Sequence, residues 1–264
     1  MSMQGKTVVI TGATSGIGEV AAMRLAEQGA RIVFTARDKA RADDTLAKLR
    51  QANPGADHAV HMADLSTLAE MKRVGGELAQ LPQIDVLINN AGAGIYQPSW
   101  EMPMEEARYL MELNFFAPLA MTQLVVPHMR ARRSGMLVNM GSIGGKVVLP
   151  WLTLYSVTKS ALGSLTEGQR VELMGDGVRT MLVCPGYVKT GFQQNVRAGQ
   201  APDRVQKARR FAITPEECAL AIRRGVERDA RTVVTPRSGW LLVLAMRLFP
   251  SIVEARMAAI NGTA

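Results

Sequence analysis

Short apolar runs rich in valine and isoleucine alternate along this chain with longer segments in which polar and apolar residues recur at helical spacing. Seven runs stand out, at residues 6–11, 31–36, 58–63, 86–89, 135–141, 178–184 and 232–235. Strands separated by helix-length segments are the pattern of βαβ units that share a parallel sheet. The pattern predicts one α/β domain over residues 1–264, a doubly wound parallel seven-stranded sheet with helices on both faces. Gly29 falls where the first helix should stop, and Thr214-Pro215-Glu216-Glu217 offers a cap, a first-turn proline and early acids for a late helix.

Right-handed crossovers put the strand-to-helix loops along one edge of such a sheet, and ligands bind outside the carboxyl ends of the strands. Candidate chemistry is therefore expected just after each strand. The first strand runs into Thr11-Gly12-Ala13-Thr14-Ser15-Gly16-Ile17-Gly18, with a helix directly behind it. Glycines there allow a tight turn and a close backbone approach, so a pyrophosphate can meet the free amides of Gly12, Thr14, Ser15, Gly16, Ile17 and Gly18 at the positive end of the helix. An ordinary βα turn that needs positive φ angles is the competing reading.

The second strand ends Ala36-Arg37-Asp38, with Ala36 standing 18 residues beyond Gly18, where an NAD-binding fold would carry an acid for the ribose hydroxyls. Arg37 instead supplies a cation able to pair with a 2′-phosphate, which favours NADP(H) over NAD(H). The alternatives are that Asp38 takes the acid's part or that Arg37 is a solvated loop residue. Asp64-Leu65 closes the third strand and is expected either to receive the adenine amino group or to cap a helix starting near Ser66. Asn90-Ala91-Gly92 follows the fourth, small enough to pack backbone against a cofactor.

Tyr155 and Lys159 lie four residues apart in a helical stretch and so share a face. A phenol has a pKa of about 10, and a neighbouring ammonium favours phenolate, which suits the tyrosine to proton exchange with an alkoxide. Ser142, at the end of the fifth strand, has a hydroxyl that can hold the oxygen on which charge develops. Asn114 is a polar residue in an apolar helix. It serves either a local backbone bond or a helix irregularity whose carbonyl, through water, holds Lys159.

With TGATSGIG, NNAG, Asn114, Ser142, YSVTK and Pro185-Gly186-Tyr187-Val188-Lys189-Thr190 in order, the sequence resembles the short-chain dehydrogenase/reductase family over about residues 5–236. The resemblance implies a Rossmann-type fold, no metal, and a catalytic tetrad of Asn114, Ser142, Tyr155 and Lys159, with Tyr155 and Lys159 also meeting the cofactor. It further implies that Pro185, Gly186, Val188 and Thr190 meet the nicotinamide end, and that copies pair as a homodimer or homotetramer through the helices holding Asn114 and Tyr155.

Composition narrows the remainder. The chain has 264 residues, 47% of them hydrophobic, a net charge of +8 and a pI near 9.9. Its basic excess gathers late, from Arg197 to Arg237, and reads as a solvated face; no nucleic-acid-reading motif accompanies it. Cys184 and Cys218 fit no metal or disulfide pattern, and the early first strand leaves no room for a signal peptide, so a reduced cytoplasmic protein is expected. His58, His61 and His128 lack zinc spacing and are assigned no function.

Residues 190–214 are expected to form a substrate lid. Residues 238–264 are expected to form a helical extension like that of hydroxysteroid-dehydrogenase-like relatives. Its apolar run falls short of the roughly 20 residues that span a bilayer. Burial, or packing on a partner, is the simpler reading; a helix resting on a membrane surface or lining a lipid-sized pocket is the alternative. Ile95, Tyr96, Val148, Leu149, Trp151, Tyr187 and Phe192 flank the motifs and suggest an apolar carbonyl or alcohol substrate. Arginines in the lid leave open an acidic 3-oxoacyl thioester, and a non-catalytic cofactor-binding sensor is the reading from outside enzymology.

Overall fold

The computed structural model describes residues 2–193, 199 and 212–261. Its sheet holds seven strands, β1 (Thr7–Thr11), β2 (Arg31–Ala36), β3 (Ala59–Met62), β4 (Val86–Asn89), β5 (Gly135–Met140), β6 (Val178–Pro185) and β7 (Thr232–Thr235). All neighbours are parallel, in the order β3-β2-β1-β4-β5-β6-β7. The expected doubly wound Rossmann-type sheet is therefore the fold. The winding reverses between β1 and β4, and the crevice this opens at their carboxyl ends is where such sheets bind ligands.

The helices are α1 (Gly16–Ala26), α2 (Lys39–Ala52), α3 (Leu68–Ala79), α4 (Met104–Met111), α5 (Ala117–Ala131), α6 (Thr153–Glu172), α7 (Pro215–Glu227), α8 (Gly239–Leu248) and α9 (Pro250–Asn261). Successive strand residues point to opposite faces, and the two cores follow that rule. Val8 and Ile10 join Ala22, Leu49 and Ile222 beneath α1, α2 and α7, whereas Val9 joins Met71, Val125 and Met129 beneath α3 and α5. An apolar cavity of about 400 Å³ is lined by residues of α1 and α7 and by none of the predicted site residues.

Several boundaries differ from expectation for local reasons. β3 begins at Ala59 because the His58 ring takes a strand partner's place, with the Ile32 N–H donating to its Nδ1 at 2.9 Å. α3 starts at Leu68, since the Thr67 hydroxyl receives the Glu70 amide at 3.4 Å and caps the helix later than Ser66 would. The predicted α7 cap is present as a full capping box between Thr214 and Glu217. Most of the expected lid, 194–198 and 200–211, lies outside the described residues. The C-terminal extension is two helices, not one, and in α8 only Val243 is buried, which corrects the expectation of a helix buried in the chain.

Candidate active site

Local chemistry shapes the glycine loop between β1 and α1. Gly12 and Gly16 take φ of +67° and +60°, the left-handed region that favours glycine. A side chain at Gly18 would run into the Asn90 amide and the Gly12 carbonyl oxygen, so this position admits only glycine. Asn90 Nδ2 donates to the carbonyls of Thr11 at 3.0 Å and Gly12 at 2.8 Å. The backbone amides of Asn90 and Ala91 both donate to the Thr11 hydroxyl at 3.0 Å. Asn90 and Ala91 thus act first as a staple holding the loop, a role more specific than the close packing expected of them. Thr11 was missed as a site residue; a threonine ending a buried apolar strand was its one signal.

Above this loop, Ser15 begins α1 without a side-chain cap, whereas Asp38, Thr67 and Thr214 each cap their helices. The first amides of α1 are therefore left for an anion. Thr190 closes the far side, since a Cβ at Gly16 would sit 3.2 Å from the Thr190 side chain. Gly186 N–H donates to the Thr235 carbonyl at 2.8 Å, and Val188 pairs with Ile213 in a single bridge, which sets the Pro185–Thr190 turn against β7. Thr14 and Ile17 are half-buried in the same loop.

At the β2 end, Arg37 is exposed. Asp38 caps α2, its Oδ1 receiving the Arg41 amide at 2.9 Å. The Asp64 carboxylate receives the Ser66 amide at 3.0 Å and hydroxyl at 2.7 Å, while Leu65 packs into the core. Asp64 therefore shapes its own turn.

The reaction centre gathers at the carboxyl ends of β4 and β5. Asn89 Nδ2 donates to Asn139 Oδ1 at 2.8 Å, and Asn139 Nδ2 to the Thr166 hydroxyl at 2.9 Å, a buried polar chain that ties both strands to α6. Past β5, Ser142 opens the short 3-10 turn Ile143–Gly145 and its hydroxyl receives the Gly144 amide at 3.0 Å. This turn lies so close to α6 that a Cβ at Gly145 would come within 2.7 Å of the Lys159 carbonyl. Close packing there sets the Ser142 side chain beside the Tyr155 phenol.

The electrostatics differ from the simple expectation that Lys159 lowers the tyrosine's pKa. Tyr155 keeps part of its surface open, but its hydroxyl is enclosed, and burial pushes the phenol up to about 12 against the opposing pull of Ser142. Lys159 shares the Tyr155 face of α6, with Nζ 5.8 Å from the ring centroid and donating to the Met140 carbonyl at 2.9 Å. Its ammonium is enclosed too, and burial brings its pKa down to about 8. Desolvation is the largest influence on both groups.

Asn114 sits in a π-helical turn, Glu112–Phe116, between α4 and α5. Its buried amide receives the Ala93 N–H at 2.9 Å and donates to the Ala93 carbonyl at 2.9 Å and the Thr158 hydroxyl at 3.0 Å. The helix irregularity expected there is present, and the side chain bonds backbone from another segment. Gly92 completes the group, since a Cβ there would lie 3.0 Å from Asn114 Oδ1 and 3.2 Å from Lys159 Nζ. Thr158, which also donates to the Tyr155 carbonyl at 2.8 Å, links Asn114 to the Tyr155 turn and was not singled out from sequence.

Of the expected apolar walls, Tyr96, Leu149 and Trp151 cluster with Leu152 around Tyr155, and the Phe192 ring lies 6.0 Å from that of Tyr155. Ile95 is fully buried, and Val148 is exposed.

A family model described as short chain dehydrogenase matches residues 6–201. The chain belongs to the short-chain dehydrogenase family. Solved members superpose on nearly all of this short-chain dehydrogenase. One from Sphingobium yanoikuyae in complex with NADPH is 28% identical with a TM-score of 0.81, covering 97% of this chain and 95% of its own. Another from Burkholderia phymatum in complex with NAD is 25% identical with a TM-score of 0.84, covering 97% and 96%. A bulky-bulky ketone specific alcohol dehydrogenase from Comamonas testosteroni is 27% identical with a TM-score of 0.78, covering 97% and 93%.

Proposed function

We propose that this short-chain dehydrogenase interconverts an apolar ketone and its secondary alcohol with NADP(H). The observation that carries the reading is the Ser142 hydroxyl set beside an enclosed, protonated Tyr155, one helical turn from Lys159 and beside a helix start with open amides. The glycine positions fit a dinucleotide, because a side chain at Gly12, Gly18 or Gly92 would meet backbone, the Asn90 amide or the Asn114–Lys159 pair. Gly12, Thr14, Ser15, Gly16, Ile17 and Gly18 would hold the pyrophosphate. Arg37 would meet a 2′-phosphate, Asp64 and Leu65 the adenine, Asn90 to Gly92 and Lys159 the nicotinamide ribose, and Pro185, Gly186, Val188 and Thr190 the carboxamide. The bound cofactor supplies or takes up the hydride.

The chain's own residues manage the oxygen. In reduction, Ser142 donates to the substrate carbonyl, and Tyr155 transfers its phenolic proton to the oxygen as the C=O becomes an alkoxide. Lys159, charged below a pKa of about 8, offsets the phenolate left behind. Asn114 and Thr158 keep Gly92 and the Tyr155 turn in place. Oxidation runs the same proton path backwards.

NADP(H) is favoured because Asp38 is engaged as a helix cap while Arg37 stands exposed at the strand end. The apolar substrate is supported by the aromatic and leucine cluster around Tyr155 and by the bulky-ketone specificity of the Comamonas relative. Pairing of copies through α5 and α6 is supported by Phe116, Val157 and Val171, which are apolar and exposed. Buried free thiols at Cys184 and Cys218 support the cytoplasm as its compartment. In a panel of bulky ketones with NADPH, Tyr155→Phe should abolish turnover and largely spare NADPH binding. Turnover retained by that variant, or no oxidation of NADPH across the panel despite binding, refutes the reading and leaves a cofactor sensor.

A further inference from the structure

The C-terminal helices present apolar surface that the fold does not use. Trp240, Leu241, Leu244, Leu248, Phe249 and Ile252 are between 44% and 70% exposed. At 3.6 residues per turn, Trp240, Leu244, Leu248 and Leu241 fall within an arc of roughly 100° on α8. Val243, outside this arc, is the buried residue that fastens the helix. The arc is thus a continuous outward stripe, extended by Phe249 and Ile252 where α9 begins.

Two further features say what covers this stripe. The segment from Arg237 to Asn261 carries three arginines, Arg237, Arg247 and Arg256, against the single acid Glu254. All three arginines are exposed. A two-fold contact of this patch with itself would set both sets of arginines against each other, whereas anionic headgroups would neutralise them. The ten residues of α8 reach about 15 Å, half of a hydrocarbon core, so the helix must lie along the surface.

The opposite face of α8, at its first residue, packs near the reaction centre. Gly239, which starts α8, packs so closely on the turn after β5 that a Cβ would lie 2.9 Å from Ile143 Cδ1. Ile143 follows Ser142 directly.

We propose that α8 and the start of α9 dock this enzyme on an anionic lipid surface, close to the turn that carries Ser142. Apolar substrate then enters from the lipid phase. This route rests on the apolar-ketone reading, but the docking does not.

Co-sedimentation with phosphatidylcholine vesicles, with and without phosphatidylglycerol, tests the docking without measuring turnover, so its failure is read apart from any failure of the proposed reaction. The full chain should sediment with the anionic vesicles and be released by high salt. Leu244→Glu/Leu248→Glu should weaken that binding at least about tenfold, because both leucines would enter the interface. Its Tm should match that of the parent, since both side chains are exposed. Arg237→Glu/Arg247→Glu should weaken binding to anionic vesicles alone. Absence of vesicle binding by the parent, or equal binding by the leucine variant, overturns the proposal. So does a leucine variant that turns a dimer into monomers in sedimentation velocity with no change in vesicle binding, which would assign the stripe to a second copy.

Discussion

Asn114 never has to touch substrate to matter, and replacing it by leucine isolates what its amide does. The variant keeps a branched side chain and removes three hydrogen bonds, two to the Ala93 peptide and one to the Thr158 hydroxyl. Thr158 still donates to the Tyr155 carbonyl and loses only an incoming bond. The Ala93 N–H and C=O lose their partners, at about 1–3 kcal/mol for each buried group. Because these bonds are part-buried, the low half of that range applies, a total of about 2–4 kcal/mol. For a domain of this size that lowers Tm by roughly 10 °C.

The effect on rate is separate. Ala93 follows Gly92, whose open side faces Asn114 and Lys159, so the leucine pushes on the floor of the reaction centre. A displacement of about 1 Å there costs on the order of 100-fold in kcat, while NADPH binding at the distant glycine loop changes little. Asn114→Asp, which keeps the acceptor for the Ala93 N–H and loses both donors, should fall between leucine and the parent. Thermal unfolding by circular dichroism and steady-state ketone reduction at saturating NADPH measure both effects. An Asn114→Leu enzyme within about 2 °C of the parent Tm and with unchanged kcat would refute the positioning role.

Arg37→Asp should shift the preference of kcat/KM from NADPH toward NADH by an order of magnitude or more, about 1.4 kcal/mol for each tenfold; an unchanged preference counts against the cation reading. Gly18→Ala should weaken NADPH binding by at least about tenfold, because the new methyl displaces the Asn90 staple and the Gly12 carbonyl; calorimetry giving the parent Kd would show that the loop does not hold the cofactor. Lys159, its pKa lowered to about 8, is charged below that pH and neutral above it, while Tyr155 stays protonated toward 12. Ketone reduction should therefore stay level through neutral pH and decline as pH rises through about 8. Lys159→Arg should carry that limb out of range, and a limb that stays at the same pH belongs to another group.

The strands, their order of appearance and the residues that follow them were legible because each is a local signal. Valine-rich runs, glycines before a helix, and a tyrosine and lysine one turn apart need no partner elsewhere in the chain to be read. Strand order and register fix which loops meet, and sequence does not carry that. Thr11 and Asn90, 79 residues apart, form the loop staple because β1 and β4 are neighbours at the switch point. Thr158 joins Asn114 across 44 residues for the same reason.

Burial decided the rest. From spacing alone, Lys159 is an ammonium that lowers a neighbouring phenol's pKa; enclosed in the fold, it gives up part of its own proton affinity, and the phenol rises. Asp38 reads as a candidate ribose acid, and only the fold shows that it also caps α2. The apolar C-terminal run announces its hydrophobicity in the sequence, but whether that surface is spent on the core is a tertiary fact. Here Val243 alone of α8 is buried, and the leucine stripe faces outward. Local chemistry names the groups; packing sets their charge, their partners and the direction they face.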